Sequence, residues 1–176
     1  MTAPQDPGFV SFTRFVTQLG HRLRPGQLAF SKVAYDGLEP RDIEGSERDL
    51  ARRIFGDCET IPDSARAVLA KVKGRDGGGT FLAALRLLYL GVTLRLERLG
   101  QAELAYCFFG APKLRLAQIA KRFALEGARF LAGNGDIELE AETADGFTIV
   151  RHDGRRVRFE CFAASRGGDN TRGVPI

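Results

Sequence analysis

A glycine-rich segment is the part of the chain whose residue types are best suited to chemistry. It extends from Gly74 to Thr80, follows the apolar run 67–70 and precedes the apolar run 81–90. The order strand, glycine turn and buried helix is typical of a phosphate-binding loop, because glycines let several backbone N–H groups point into one concavity and the helix adds its positive dipole end. Thr80 falls at the predicted helix start, where its hydroxyl can cap the helix or ligate Mg²⁺ beside a nucleotide.

The segment departs from the standard loop pattern, G-x-x-x-x-G-K-[ST]. When the pattern is aligned on Thr80, Gly78 takes the second glycine position and Gly79 stands at the lysine position. Lys73 occupies the first glycine position. The sequence therefore predicts a phosphate cradle without the usual lysine ammonium, and a glycine-rich turn without a ligand explains the segment equally well when it is taken alone.

Composition and charge narrow the function classes. The 176 residues predict one domain with a small N-terminal appendage. The net charge of +4 and pI of 9.2 suit an anionic partner such as a nucleotide or nucleic acid, and ordinary solvated charge also accounts for them. The longest apolar run carries Arg86 and is too short to span a bilayer, so no membrane segment is predicted.

The cysteines indicate a reducing compartment. Cys58, Cys107 and Cys161 are widely spaced and form no CxxC pair, so a zinc site is not predicted and a cytosolic location fits best. Cys107 and Cys161 lie in apolar, strand-like runs, which favours core thiols over nucleophiles.

The first 60 residues are predicted to form a helical segment. The spacing of Phe12, Phe15, Val16 and Leu19 matches one helical face that ends at Gly20. A second short helix is predicted after the turn 24–27, and a third between a candidate cap at Ser46 and a stop at Gly56.

Gln27, in the turn before the second helix, could contact an adenine. Its amide can pair with both N6 and N7 of that base. A solvated glutamine at a helix start is the simpler explanation when the residue is considered alone.

The residues after the glycine segment predict an α/β core. A helix from Thr80 to Gly91 is followed by a buried strand at 104–110, of the kind found in parallel sheets. After Pro112, a basic amphipathic helix is predicted, whose outer face carries Lys113, Arg115, Lys121, Arg122 and Arg129. From Ile137 the period changes to alternation, and Asp-Gly pairs at 145–146 and 153–154 predict β-hairpin turns. The final run 174–176 resembles the start of a strand, so we expect a fragment, with a partial core at 61–176 after the helical segment 1–60.

Four stretches recur in this order in a known family: 24–27 with 33–40, the loop 74–80, the strand into Ala111-Pro112 with a helix at 116–117, and the hairpin with a glycine-rich loop ending at Arg172-Gly173. Together they resemble the ATPase domain of the phage terminase large subunit, a DNA-packaging motor. The resemblance spans nearly the whole chain. It implies a three-layer P-loop NTPase-like α/β domain with a mostly parallel central sheet, the N-terminal helical segment and the hairpin near the C-terminus.

The resemblance implies roles for individual residues. Gln27 would read adenine, Arg75 would lie against the γ-phosphate as the catalytic arginine, and Thr80 would hold Mg²⁺. The ATP-binding loop would comprise Lys73, Gly74, Arg75, Asp76, Gly77, Gly78, Gly79 and Thr80. The implied partners are double-stranded viral DNA, the terminase small subunit, the portal protein and further copies in a ring, in the cytoplasm of a bacterial host and without a membrane. Because Gly79 replaces the lysine and the metal-holding carboxylates would lie beyond Ile176, we expect weak or no ATPase activity from this chain alone.

Three alternatives remain open on the sequence. One is a degenerate P-loop module that serves binding or assembly without hydrolysis. The second is a nucleic-acid-binding domain that contacts phosphates through the basic helix. The third is an unrelated α/β domain, for example a ferredoxin-like one.

Overall fold

The computed structural model describes residues 11–57, 60, 78–100 and 103–163. The chain divides into two compact units, the first ending at Gly79 and the second starting at Thr80. The predicted strand at 67–70, loop residues 73–77 and the final run 174–176 lie outside the described residues. The predicted boundary between 1–60 and 61–176 stays a prediction, since 61–77 also lie outside them.

The first unit is helical, as the apolar spacing predicts. It contains α1 (Phe12–Gln18), α2 (Pro25–Ala34), a short 3-10 helix (Pro40–Asp42) and α3 (Gly45–Phe55). Gly20 and Gly56 follow α1 and α3 with φ of +77° and +82°, so both predicted glycine stops are confirmed.

Apolar side chains of α2 and α3 form a hydrophobic cluster in the first unit. Ala29, Val33 and Ala51 are buried together with Ile43 from the intervening loop. The rings of Phe30 and Phe55 stack with their centroids 5.8 Å apart. The two helices are therefore joined by a continuous apolar contact.

The predicted cap of α3 is wrong. The helix begins at Gly45, two residues after Ile43, and Glu44 takes the N-cap position with extended backbone angles (φ −103°, ψ 161°) and no side-chain capping bond. Ser46 therefore lies inside the first turn and does not precede the helix.

Asp36, in the loop after α2, anchors the start of α1. Its carboxylate accepts hydrogen bonds from the backbone N–H of Phe12 (2.6 Å) and of Thr13 (3.3 Å), and from the Thr13 hydroxyl. The first N–H groups of a helix have no partner within the helix, so a carboxylate there satisfies them and complements the dipole. The loop that bears Asp36 is thereby tied to the N-terminus of α1.

Asp36→Asn is expected to lower the free energy of unfolding by about 1.5–3 kcal/mol, because one charged acceptor serving several donors is replaced by a neutral amide. Urea unfolding followed by circular dichroism measures the change. Asp42→Asn is the matched control, since its side chain is 57% exposed and makes only a 3.9 Å ion pair with Arg41, so it should change stability by less than about 0.5 kcal/mol. Equal effects of the two substitutions would contradict the anchoring role.

The second unit is α/β, which confirms the coarse fold class. Its elements are α4 (Gly79–Thr93, which starts at the last residue of the first unit), β1 (Leu104–Ala111), α5 (Leu114–Gly133), β2 (Glu138–Glu142), β3 (Gly146–Val150) and β4 (Arg156–Ala163). The predicted strand at 104–110 and the predicted helix after Pro112 are both present.

The four strands form one mixed sheet in the order β1-β4-β3-β2. β1 and β4 are parallel, with Leu104 opposite Arg156 and Ala111 opposite Ala163. The pairs β3–β4 and β2–β3 are antiparallel. The expected mostly parallel sheet is therefore only partly right for the described strands. The reason lies in the two Asp-Gly turns, which reverse the chain twice and make β2, β3 and β4 an antiparallel meander.

Both predicted hairpin turns are confirmed. Thr143 N–H donates to Gly146 O across the first turn (2.8 Å), and Gly154 N–H donates to Arg151 O in the second (2.8 Å). Gly154 has a φ of +75°, a conformation that favours glycine.

One face of the sheet forms the core of the second unit. Phe147 and Phe159 are fully buried, and their rings stack with centroids 4.5 Å apart and planes 8° from parallel. A Cβ atom added at Gly91 of α4 would overlap the Phe159 ring, so the helix approaches the sheet closely at this glycine. Gly91 was expected to end the helix; α4 instead continues to Thr93 because Gly91 serves close packing.

Candidate functional site

The structure describes three residues of the predicted phosphate loop, Gly78, Gly79 and Thr80, at the start of α4. Gly79 and Thr80 are the first two residues of the helix, and Thr80 is exposed. Gly78, directly before them, has a φ of +62°, which L side chains rarely adopt. Five of the predicted loop residues, namely Lys73, Gly74, Arg75, Asp76 and Gly77, lie outside the described residues.

The direction of α4 places its start at the functionally favourable edge of the sheet. Near the end of the helix, Leu94 O accepts a hydrogen bond from Arg151 Nη1 (2.6 Å), beside the amino ends of β1 and β4. Gly91, one turn earlier, lies against Phe159 in the middle of β4. The helix therefore points its N-terminus towards the carboxyl ends of β1 and β4. In open sheets of mostly parallel strands, ligands bind at the carboxyl ends of the strands, and in this sheet the pair β1–β4 is the parallel one.

Gln27 has a structural task in α2. Its Oε1 atom accepts a hydrogen bond from the backbone N–H of Arg24 (3.0 Å), which closes the first turn of the helix. A carbonyl oxygen has two lone pairs, so this bond is compatible with a further acceptor role towards an adenine amino group.

Gln27 also lies against Gly78. A Cβ atom added at Gly78 would overlap Nε2 of Gln27, and both residues belong to the first unit. Gln27 and Gly78, two predicted site residues that are 51 positions apart in the chain, thus lie next to each other. The sequence pattern contains no signal for this approach, since neither residue lies in a periodic run that pairs with the other.

The basic face of α5 is smaller than the sequence predicts. Lys121, expected outside, is buried, and its Nζ atom donates to Thr143 O and Ala144 O (2.8 Å each). Helical spacing could have revealed this, because position 121 is four residues after buried Ala117 and three before buried Ala124. Arg129 is exposed but forms an ion pair with Glu142 at 2.6 Å.

The two described cysteines are unsuited to nucleophilic chemistry. Burial raises the pKa of the Cys107 thiol to about 11. Burial also raises the pKa of Cys161, against an opposing contribution from the Lys121 ammonium. Since the thiolate is the reactive form, both groups are poor nucleophiles at neutral pH, in accord with their predicted core positions.

The described residues contain neither a cluster of metal-binding side chains nor a membrane-spanning helix. Within residues 11–57, 60, 78–100 and 103–163, no group of three or more His, Cys, Asp or Glu side chains could hold a metal ion. None of the helices in these ranges combines the length and the apolar character needed to cross a bilayer.

Comparisons with known proteins found no family model, no curated protein and no solved structure that matches the chain.

Proposed function

We propose that the chain is the ATP-binding N-terminal part of a phage or prophage terminase large subunit, the motor that packages viral DNA. The observation that carries the proposal is the contact between Gln27 and Gly78, directly before the start of α4. Gln27 lies beside a glycine of the predicted phosphate loop, and a glutamine amide can pair with both N6 and N7 of adenine.

The described residues fit a nucleotide with its magnesium ion. Gly78 supplies the left-handed backbone conformation that a phosphate cradle uses, and the first N–H groups of α4 follow it. The exposed Thr80 hydroxyl would hold Mg²⁺, which when bound neutralises charge on the phosphates. The resemblance implies that loop residues 73–77 would complete the cradle and that Arg75 would lie beside the γ-phosphate.

The finer fold is also part of the proposal. The parallel pair β1–β4 and the contact of α4 with the core face of the sheet support a P-loop NTPase-like domain, whose three layers are implied by the resemblance. In such a domain, the edge of the sheet at which α4 begins is the nucleotide edge.

We further propose that ATP hydrolysis by this chain is weak. Gly79 stands where the phosphate-binding lysine is usual, so a positive charge that stabilises phosphoryl transfer must come from elsewhere.

The same proposal includes a ring of copies that acts on double-stranded DNA with the small subunit and portal protein, in the bacterial cytoplasm.

Nucleotide selectivity tests the role of Gln27. The chain should bind ATP more tightly than GTP in the presence of Mg²⁺, and Gln27→Ala should reduce this preference by about 5- to 100-fold, the range for one bidentate contact to a base. Equilibrium titration with fluorescent analogues of both nucleotides gives the two affinities. Gln18→Ala, an exposed glutamine at the end of α1, is the matched control and should leave the preference unchanged.

The same titrations distinguish the proposed ATP site from the main alternative, a degenerate P-loop module. Gln27→Ala removes the bond to Arg24, so thermal unfolding must show that the variant is folded at the assay temperature. A wild-type chain that binds neither nucleotide would contradict the proposal and favour the degenerate P-loop module. The glycine at the lysine position of the loop also favours that module.

A further inference from the structure

Three arginines form a stripe along α5. Arg115, Arg122 and Arg129 lie seven residues apart, and all three are exposed. Seven residues are nearly two helical turns, so the three side chains share one side of the helix. The buried residues Ala117 and Ala124 follow Arg115 and Arg122 by two positions, about 200° around the helix. Arg115 and Arg122 therefore face away from the sheet, whereas Arg129 reaches Glu142 at the end of β2.

The two ends of this stripe differ in charge. At the C-terminal end, Arg129 is paired with Glu142, and the exposed Glu126 lies between Arg122 and Arg129, one turn from each. At the N-terminal end, Lys113, Arg115 and Arg122 form no ion pair with any described residue. The first turn of α5 contains no acidic residue. We call Lys113, Arg115 and Arg122 the basic half of α5.

We propose that the basic half of α5 binds the phosphate backbone of double-helical DNA. The partner follows from charge complementarity: the three cations are exposed, form no ion pair with a described residue, and lie at the N-cap and in the N-terminal half of α5. Arg115 and Arg122 are about 10 Å apart along the helix axis, so each guanidinium contacts a different phosphate. The biological meaning of the surface rests on the proposed function, because a packaging motor must hold duplex DNA without regard to its sequence.

Phosphate contact without base recognition predicts a particular salt dependence. With about three contacts, the logarithm of the association constant should fall with the logarithm of salt concentration at a slope of about −2.7. Arg115→Gln combined with Arg122→Gln should leave a slope of about −0.9 and weaken binding by at least about tenfold near 100 mM salt. Both side chains are exposed, so the double variant should remain folded.

Fluorescence anisotropy of a labelled DNA duplex of arbitrary sequence, titrated with the full chain at several salt concentrations, measures the slope. Arg129→Gln is the matched control, since it removes the same charge from the same side of the same helix; its slope should stay close to that of the wild type. A double variant with wild-type slope and affinity, an equal loss in Arg129→Gln, or no DNA binding by the wild type would overturn the proposal.

ATP titration of the same double variant separates this proposal from the function proposed above. The double variant should bind ATP as the wild type does, because neither arginine belongs to the nucleotide loop. If DNA binding behaves as expected while the wild type binds no ATP, the DNA surface stands and the ATP-binding proposal fails.

Discussion

Phe159→Ala is expected to lower the free energy of unfolding by about 3–5 kcal/mol, the range for truncating a fully buried aromatic side chain. Phe159 is 0% exposed, stacks on Phe147 at 4.5 Å and lies near Phe109 with ring centroids 6.2 Å apart. Its ring also contacts Gly91, so truncation opens a cavity between α4 and the sheet that a glycine cannot fill.

Urea unfolding of the wild type and the variant gives the change. Phe130→Ala is the control, since Phe130 lies on α5 in the same unit but is 44% exposed, and we expect a loss below about 1 kcal/mol. If Phe159→Ala cost no more than Phe130→Ala, the contact between α4 and the core face of the sheet would be wrong. Should the variant be too unstable to purify, Phe159→Leu keeps much of the volume and should show a smaller loss in the same direction.

Gly78→Ala is expected to weaken ATP binding by about a hundredfold. The left-handed backbone at Gly78 (φ +62°) costs a non-glycine residue about 1–2 kcal/mol. The added Cβ atom would also overlap Nε2 of Gln27 and displace the amide that we assign to adenine, a contact worth about 1–3 kcal/mol. The two effects together amount to about 2–5 kcal/mol, which corresponds to about one and a half to three and a half orders of magnitude in affinity.

Gly26→Ala provides the control for this substitution. Gly26 lies in α2 next to Gln27, and a Cβ atom there meets nothing within 4 Å. The change should leave ATP affinity unaltered and stabilise the helix by up to about 1 kcal/mol. Titration with a fluorescent ATP analogue compares the two variants, and an unchanged affinity in Gly78→Ala would show that this glycine takes no part in the site.

Much of the secondary structure of the second unit is predictable because its signals are local. The continuous apolar run at 104–110 gives β1, and the Asp-Gly pairs at 145–146 and 153–154 give the two turns of the meander. Helical periodicity likewise predicts α5, since its buried residues recur every three or four positions.

The arrangement of these elements is harder to predict because it depends on contacts distant in sequence. The order β1-β4-β3-β2 is set by which strand docks beside β1, and no local pattern specifies this choice. Gly91 has the residue type of a helix stop, but its contact with Phe159 explains its presence. Lys121 has the residue type of a surface position, but two backbone carbonyls satisfy its ammonium group in a buried place.

The candidate site also combines one feature that the local sequence predicts with one that depends on contacts distant in sequence. The start of α4 at Gly79 and Thr80 follows from the glycine pattern and the apolar run after it. The approach of Gln27 to Gly78 requires the first unit to fold, and only the three-dimensional arrangement reveals it.

The parallel pairing of β1 with β4 has a consequence for the order of folding. Leu104 and Arg156 are neighbours in the sheet but 52 residues apart in the chain, whereas the meander joins strands separated by short turns. Closing the longer loop has the larger entropic cost, so β2, β3 and β4 should associate first and β1 should dock afterwards. Before β1 pairs with β4, one edge of β4 has no neighbouring strand. In this folding intermediate, β4 is the strand most exposed to β-sheet pairing with another chain.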